Sequence, residues 1–145
     1  MKPERDRPIT ELVLTDTGPI VAMLSKGDEF HDVCVEQMRR IKGPLLTCWP
    51  VITEAAWLLR AYPRAIGKML AALDGRTFRL AALTEPDAAG VAAIFEKYRT
   101  LGIQLADAAL VHLASRDGIG TIFTLNRPNF GMIRSASGNK FRLIP

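Results

Sequence analysis

Two helical acids in this sequence leave the polar side of their own helices. On the helix expected around Glu54, at about 100° per residue, Val51, Ile52, Ala55, Ala56, Leu58 and Leu59 share one apolar side, while Thr53 and Arg60 mark the polar one. Glu54 falls between Trp57 and Leu58, on the border of the buried face. Asp107 repeats the pattern: His112, Ser115 and Arg116 mark the exposed side of its helix, and Asp107 projects away from them beside Leu110, Val111 and Ala114. An unpaired charge so placed costs several kcal/mol unless something compensates it.

A third acid, Asp16, follows the apolar run Leu12-Val13-Leu14, and Asn126 follows the apolar run 121–125. In open parallel sheets, ligands bind beyond the carboxyl ends of the strands. Two strand ends and two inward helical acids can therefore converge on one crevice. Their mutual repulsion calls for a cation, and an all-oxygen donor set suits a hard ion such as Mg2+ or Mn2+. Carboxylates holding such an ion suit phosphodiester hydrolysis, and neither His nor Cys is needed for it. Taken singly, each acid has a plainer explanation: Asp107 as a first-turn acid on the helix dipole, Glu54 as a border residue reaching water. Only the combination with Asp16 points to a site.

The elements that would position these residues are short strands alternating with helices. Strands are expected at 12–14, 45–48, 77–83 and 121–125, with a fifth at the edge over 141–144. Helices are expected over 20–24, 28–42, from Pro50 to about Arg60, from Pro63 to Asp74, over 86–98 behind the capping box at Thr84–Asp87, and over 105–117, closed by Gly118. The alternation predicts an α/β fold: one domain over 10–145, with a short, mostly parallel sheet and helices on both faces. Residues 1–9, charged and without an apolar stretch, read as a flexible leader and not a secretory signal.

At these segments the chain resembles the PIN-domain family, in particular VapC-type toxin ribonucleases. The matching stretches are Leu14-Thr15-Asp16-Thr17-Gly18-Pro19-Ile20-Val21-Ala22, Thr53-Glu54-Ala55-Ala56-Trp57-Leu58-Leu59, Leu105-Ala106-Asp107-Ala108-Ala109-Leu110-Val111 and Thr121-Ile122-Phe123-Thr124-Leu125-Asn126, in the family's order and spacing. The resemblance implies a doubly wound sheet and Mg2+- or Mn2+-dependent cleavage of single-stranded or loop RNA. It also implies a homodimer and a cognate antitoxin; the cytoplasmic location is expected instead from the reduced thiols Cys34 and Cys48. It maps the family's acids onto Asp16, Glu54 and Asp107. Thr124 matches the hydroxyl residue that precedes the last acidic position. That position is Asn126 here, where such proteins usually carry Asp, and Asn129 stands where an acid often follows. Asn keeps a ligating oxygen and gives up a charge, so the alternative reading is a catalytically weakened domain acting by RNA or protein binding.

The remaining polar residues have simpler readings. Thr17 is either a hydroxyl partner of Asp16 or a helix-start cap. Arg127 is either a phosphate contact at the site rim or a solvated loop residue. Asp87 belongs to the capping box, and Asp117 closes a helix. Asp28, Glu29 and Asp32 begin one, where acids favour the dipole. His31 and His112 read as surface residues. Trp49 and Trp57 read as core or dimer-interface residues rather than base-stacking platforms. Lys42, Arg60, Arg64, Lys68, Arg76 and Arg79 read as dispersed surface charge. The net charge of +4 leans toward a polyanionic partner. Cys34 and Cys48 fit no metal or redox spacing and read as reduced structural thiols. No apolar run approaches the roughly 20 residues a membrane span needs. A phosphotransfer receiver needs paired acids after the first strand, and only Asp16 is there.

Overall fold

The computed structural model describes Pro3 and residues 6–145. Its centre is one sheet of five strands: β1 (Val13–Thr15), β2 (Leu45–Thr47), β3 (Phe78–Leu80), β4 (Thr121–Phe123) and β5 (Arg142–Ile144). The order is β3-β2-β1-β4-β5, and every ladder is parallel. Both central strands are buried along their whole length, which is why they read as continuous apolar runs and not as alternating ones.

Seven α-helices connect the strands: α1 (Thr17–Leu24), α2 (His31–Arg40), α3 (Trp49–Leu58), α4 (Pro63–Asp74), α5 (Ala88–Lys97), α6 (Leu105–Asp117) and α7 (Arg127–Met132). From β1 to β3 the chain steps to one side of the sheet, and from β4 to β5 to the other. Right-handed crossovers then put the first helices on one face and the later ones on the opposite face. The reversal leaves a crevice above the carboxyl ends of β1 and β4.

The expected elements are present, with local differences. α7 was not expected; Asn126 and Pro128 supply its cap and its proline start. β3 stops at Leu80, since 81–83 leave the ladder. Of the expected leader, Met1, Lys2, Glu4 and Arg5 lie outside the described residues. At its end, Ile9 is buried: its N–H donates to the Arg40 carbonyl (2.8 Å), and its own carbonyl accepts from Lys42 (2.9 Å).

Three side-chain expectations change. His112 is not a surface residue. Its ring lies under α5, where a Cβ on Gly90 would come within 2.3 Å of Nδ1. Nε2 is 2.8 Å from an Asp87 carboxylate oxygen, which Arg116 also approaches at 3.3 Å. Asp87 keeps its capping role, accepting from Thr84 N–H at 2.8 Å. His112, the Thr84 amide and Arg116 together hold its carboxyl well below the usual range. His31 is half-buried, its Nδ1 donating to the Ala22 carbonyl at 2.7 Å. Trp49 and Trp57 are exposed, which removes the core half of their core-or-interface reading. Cys34 and Cys48 are free and buried, and burial pushes both thiols up to about 11. Among the described residues, no helix is long and apolar enough to cross a membrane.

Candidate active site

Asp16 leaves the end of β1 just where α1 begins. Its backbone N–H still bonds across to Phe123 (2.9 Å), so the Cα is fixed by the central ladder. Its side chain is 6% exposed and doubly held. Oδ1 accepts from the Thr17 N–H at 2.8 Å, capping α1. Oδ2 accepts from the Thr124 hydroxyl at 2.8 Å. Thr124 in turn accepts from the Asn126 N–H at 2.9 Å, so its only proton is directed at Asp16. Thr124 thus ties the ends of β1 and β4 together.

Asp107 stands at the third position of α6, completing a capping box with Gln104. Its Oδ2 accepts from the Gln104 N–H at 2.9 Å, and Oδ1 is not used in that box. The dipole explanation for Asp107 therefore holds together with its inward placement. Glu54 projects from the middle of α3. Asn126 caps α7, its Oδ1 accepting from the Asn129 N–H at 3.4 Å. Asp16, Thr17, Glu54, Asp107 and Asn126 all line one cleft of about 510 Å³, with Gln104, Leu58 and Asn129 on its walls. Gly18 also lines it, against Leu125, where an added Cβ would sit 3.3 Å from Leu125 Cβ.

No basic side chain lines this cleft among the described residues. The electrostatic consequence is a set of three strained acids. Burial pushes Asp16 up to about 6; its bonds to Thr124 and Thr17 oppose the rise, and the Asp107 and Glu54 charges add to it. Burial also raises Glu54, against the nearby Thr17 hydroxyl and with the Asp107 charge. Asp107 is raised by burial and partly relieved by the Gln104 N–H.

The donor set is carboxylate, carboxamide and hydroxyl oxygen, with no imidazole or thiolate, which fits a hard divalent cation and not zinc. Thr17 Oγ1 is buried here without a hydrogen bond of ordinary geometry, an oxygen left available in a site of excess negative charge. Among the described residues, no three His, Cys, Asp or Glu side chains are already drawn together closely enough to hold an ion. The three acids share the walls of one cleft.

Arg127 does not join the cleft. Its guanidinium donates to the carbonyls of Leu143 and Pro145 and fastens the chain end to α7. Gln104 is the wall residue that the sequence reading missed. The Gln-x-x-Asp spacing ahead of an apolar run was the available signal.

The chain matches the PIN domain family over residues 13–128. It is 30% identical over 135 residues to ribonuclease VapC26 of Mycobacterium tuberculosis, covering 92% of this chain and all of the relative. Among solved structures it is similar to VapC20 of M. tuberculosis, a sarcin-ricin loop cleaving toxin, with a TM-score of 0.74 at 16% identity over 79% of this chain and 90% of the other. It is also similar to a toxin–antitoxin complex from Klebsiella pneumoniae, with a TM-score of 0.65 at 19% identity over 83% and 92% of the two chains. VapBC2 of Rickettsia felis, bound to a promoter DNA fragment, gives a TM-score of 0.62 at 14% identity over 91% and 96%.

Proposed function

This chain belongs to the PIN domain family, among its VapC-type toxins, and from that premise we propose that it is a divalent-metal-dependent endoribonuclease cleaving single-stranded or loop RNA. The observation that carries the proposal is the cleft itself: three carboxylates pushed toward protonation, with no basic side chain on its walls. Such a cluster is costly for the fold and becomes favourable once a cation occupies it.

Asp16, Glu54 and Asp107 would hold Mg2+ or Mn2+, with Asn126 as a neutral fourth oxygen donor. When bound, such an ion supplies water activation and charge neutralisation at the scissile phosphate. The chain's own residues orient the acids. Thr124 fixes Oδ2 of Asp16, the Gln104 amide fixes Oδ2 of Asp107, and each leaves carboxylate lone pairs toward the cleft. Thr17 supports Asp16 through its amide. Arg127 supports the site only by anchoring the start of α7.

The partners follow from the same reading: an RNA substrate, a second copy of the chain in a homodimer, and a cognate antitoxin, as in the toxin–antitoxin complexes whose fold it shares, all in the cytoplasm. A second reading rests on Asn126, whose amide already caps α7 and adds no charge: a domain that binds RNA or protein and cleaves poorly.

Incubation of the purified chain with a pool of single-stranded RNA, in Mg2+, Mn2+ or EDTA and beside Asp16→Asn, tests the proposal. Cleavage in Mn2+ that EDTA and the substitution both abolish is expected. Cleavage that survives either one rules the mechanism out. RNA binding without cleavage in any condition selects the second reading.

A further inference from the structure

Beside the acid cleft lies a cavity of opposite character. Lys26, Arg64 and Lys68 line it together with Tyr62 and Leu59, in a volume of about 410 Å³ with no acid among its lining residues. None of the three cations makes a hydrogen bond or ion pair among the described residues. Asp28, on the same loop as Lys26, turns its carboxylate to the Phe30 N–H at 2.8 Å instead. Tyr62 is 64% exposed.

This arrangement is unfavourable for the fold alone. Arg64 occupies the first turn of α4, where the helix dipole disfavours a cation. Lys68 follows four residues later on the same face, a like-charge pair with no acid within reach on that helix face to relieve it. The cavity is also placed to work with the acid cleft. Leu58 lines the acid cleft and its neighbour Leu59 lines this cavity; Gly18 lines the first and Leu24 the second. Six residues of α1 separate Gly18 from Leu24, about 9 Å of helix. Trp57, 64% exposed, sits on the last turn of α3 beside Leu58, with the Arg60 guanidinium 4.0 Å over its ring.

We infer that the Lys26–Arg64–Lys68 cavity is a docking subsite for the phosphate backbone of single-stranded RNA flanking the cut position, with Tyr62 as a stacking face for a base. The inference rests on the ribonuclease reading and names where its substrate lies. Cations interleaved with exposed aromatic rings are the means by which proteins hold single strands without reading sequence. A cleft that carries only acids needs such a neighbour, because its own field repels a polyanion.

The test uses the full chain in EDTA with a short fluorescein-labelled single-stranded RNA of mixed sequence, read by anisotropy across salt concentrations. The variant is Lys26→Gln with Arg64→Gln and Lys68→Gln; all three side chains are exposed, so the fold is not at risk. Its control is Lys42→Gln with Arg76→Gln and Arg79→Gln, which removes equal charge from a cavity at the amino ends of β2 and β3. The first variant is expected to bind at least about tenfold more weakly, with the slope of log K against log salt reduced by about 2, at roughly 0.7 per phosphate. Tyr62→Ala is expected to lose at least about fivefold. The control is expected to change binding much less.

Equal losses in variant and control reduce the effect to net charge and overturn the inference. So does unchanged RNA binding accompanied by loss of a glutamate-rich peptide, which assigns the cavity to an acidic protein segment. A parent chain that neither binds nor cleaves RNA overturns the ribonuclease reading. A parent that does both, with the variant unchanged, overturns the subsite alone.

Discussion

Replacing Asp16 with asparagine is expected to stabilise the metal-free protein while abolishing its activity. Burial raises the Asp16 carboxyl from 3.8 to about 6. The folded chain therefore holds this proton more tightly than the unfolded chain. The stability that Asp16 contributes by being protonated is complete below the unfolded value and is lost as pH rises through the folded one. Above about pH 6 the ionised side chain opposes folding by about 3 kcal/mol, two pKa units at about 1.4 kcal/mol each. Asparagine keeps the shape and the cap on Thr17, and it removes the charge. Reorienting the contact with Thr124 costs about 1 kcal/mol, so the net gain near pH 7.5 is about 2 kcal/mol. For a chain of this size that is roughly 4–8 °C in Tm. The assay is thermal unfolding of parent and Asp16→Asn in EDTA between pH 4 and pH 7.5. The gap should be largest at pH 7.5 and close as pH approaches 4. Adding Mn2+ should raise the Tm of the parent and not that of the variant. A variant less stable than the parent at pH 7.5, or a gap independent of pH, refutes the picture of an uncompensated buried carboxylate.

Four further outcomes follow from the same geometry. Asn126→Asp keeps the α7 cap and restores a charge, so calorimetry should give about tenfold tighter Mn2+ binding, with lower metal-free stability. Thr124→Val strands the Asn126 N–H and frees Asp16; a loss of about 1–3 kcal/mol is expected by denaturant unfolding, together with slower cleavage, and Thr124→Ser should recover both. Gly90→Ala drives a methyl into the His112 ring, and urea titration should show about 1–3 kcal/mol lost, partly restored by adding His112→Ala. Asp107→Asn should abolish cleavage with helix stability kept, while Asp107→Ala should also lose about 1 kcal/mol in unfolding.

The parts of the site legible in sequence are those governed by local periodicity. Asp16 could be read because a doubly buried strand is an apolar run, and its first polar residue marks the carboxyl end. Glu54 and Asp107 could be read because helical spacing takes them off their polar faces. The failures have the complementary cause. The α6 sequence says only that His112 lies opposite the apolar face; that α5 covers it depends on Gly90, twenty-two residues away. Leu58 and Trp57 lie among apolar residues of α3, yet both are exposed: Leu58 lines the cleft, and the Trp57 ring is covered only in part, by the Arg60 guanidinium. Lys26 and Arg64 come from different connections and meet only through the packing of α1 on α4.

The structural and chemical explanations of these acids also turn out not to compete. Asp16 caps α1, Asp107 completes the capping box of α6, and Asn126 caps α7. These three residues are in capping positions and line the cleft at once, while Thr17, expected as a possible helix-start cap, instead gives its N–H to the Asp16 cap. A cap fixes a short side chain against rigid backbone, and a ligand must be fixed in the same way if it is not to recoil from its neighbours. The positive ends of α1 and α6 also partly offset the negative charge gathered between them. Glu54 has no such duty: it lies in mid-helix, longer and half-buried, and on the proposed reading it is the acid most able to adjust to a cation. Asparagine at position 126 is consistent with this division. The capping function there needs an oxygen and not a charge, so the position can lose its carboxylate without loosening the start of α7. On the proposed metal-dependent reading, what it gives up is confined to the binding of the ion.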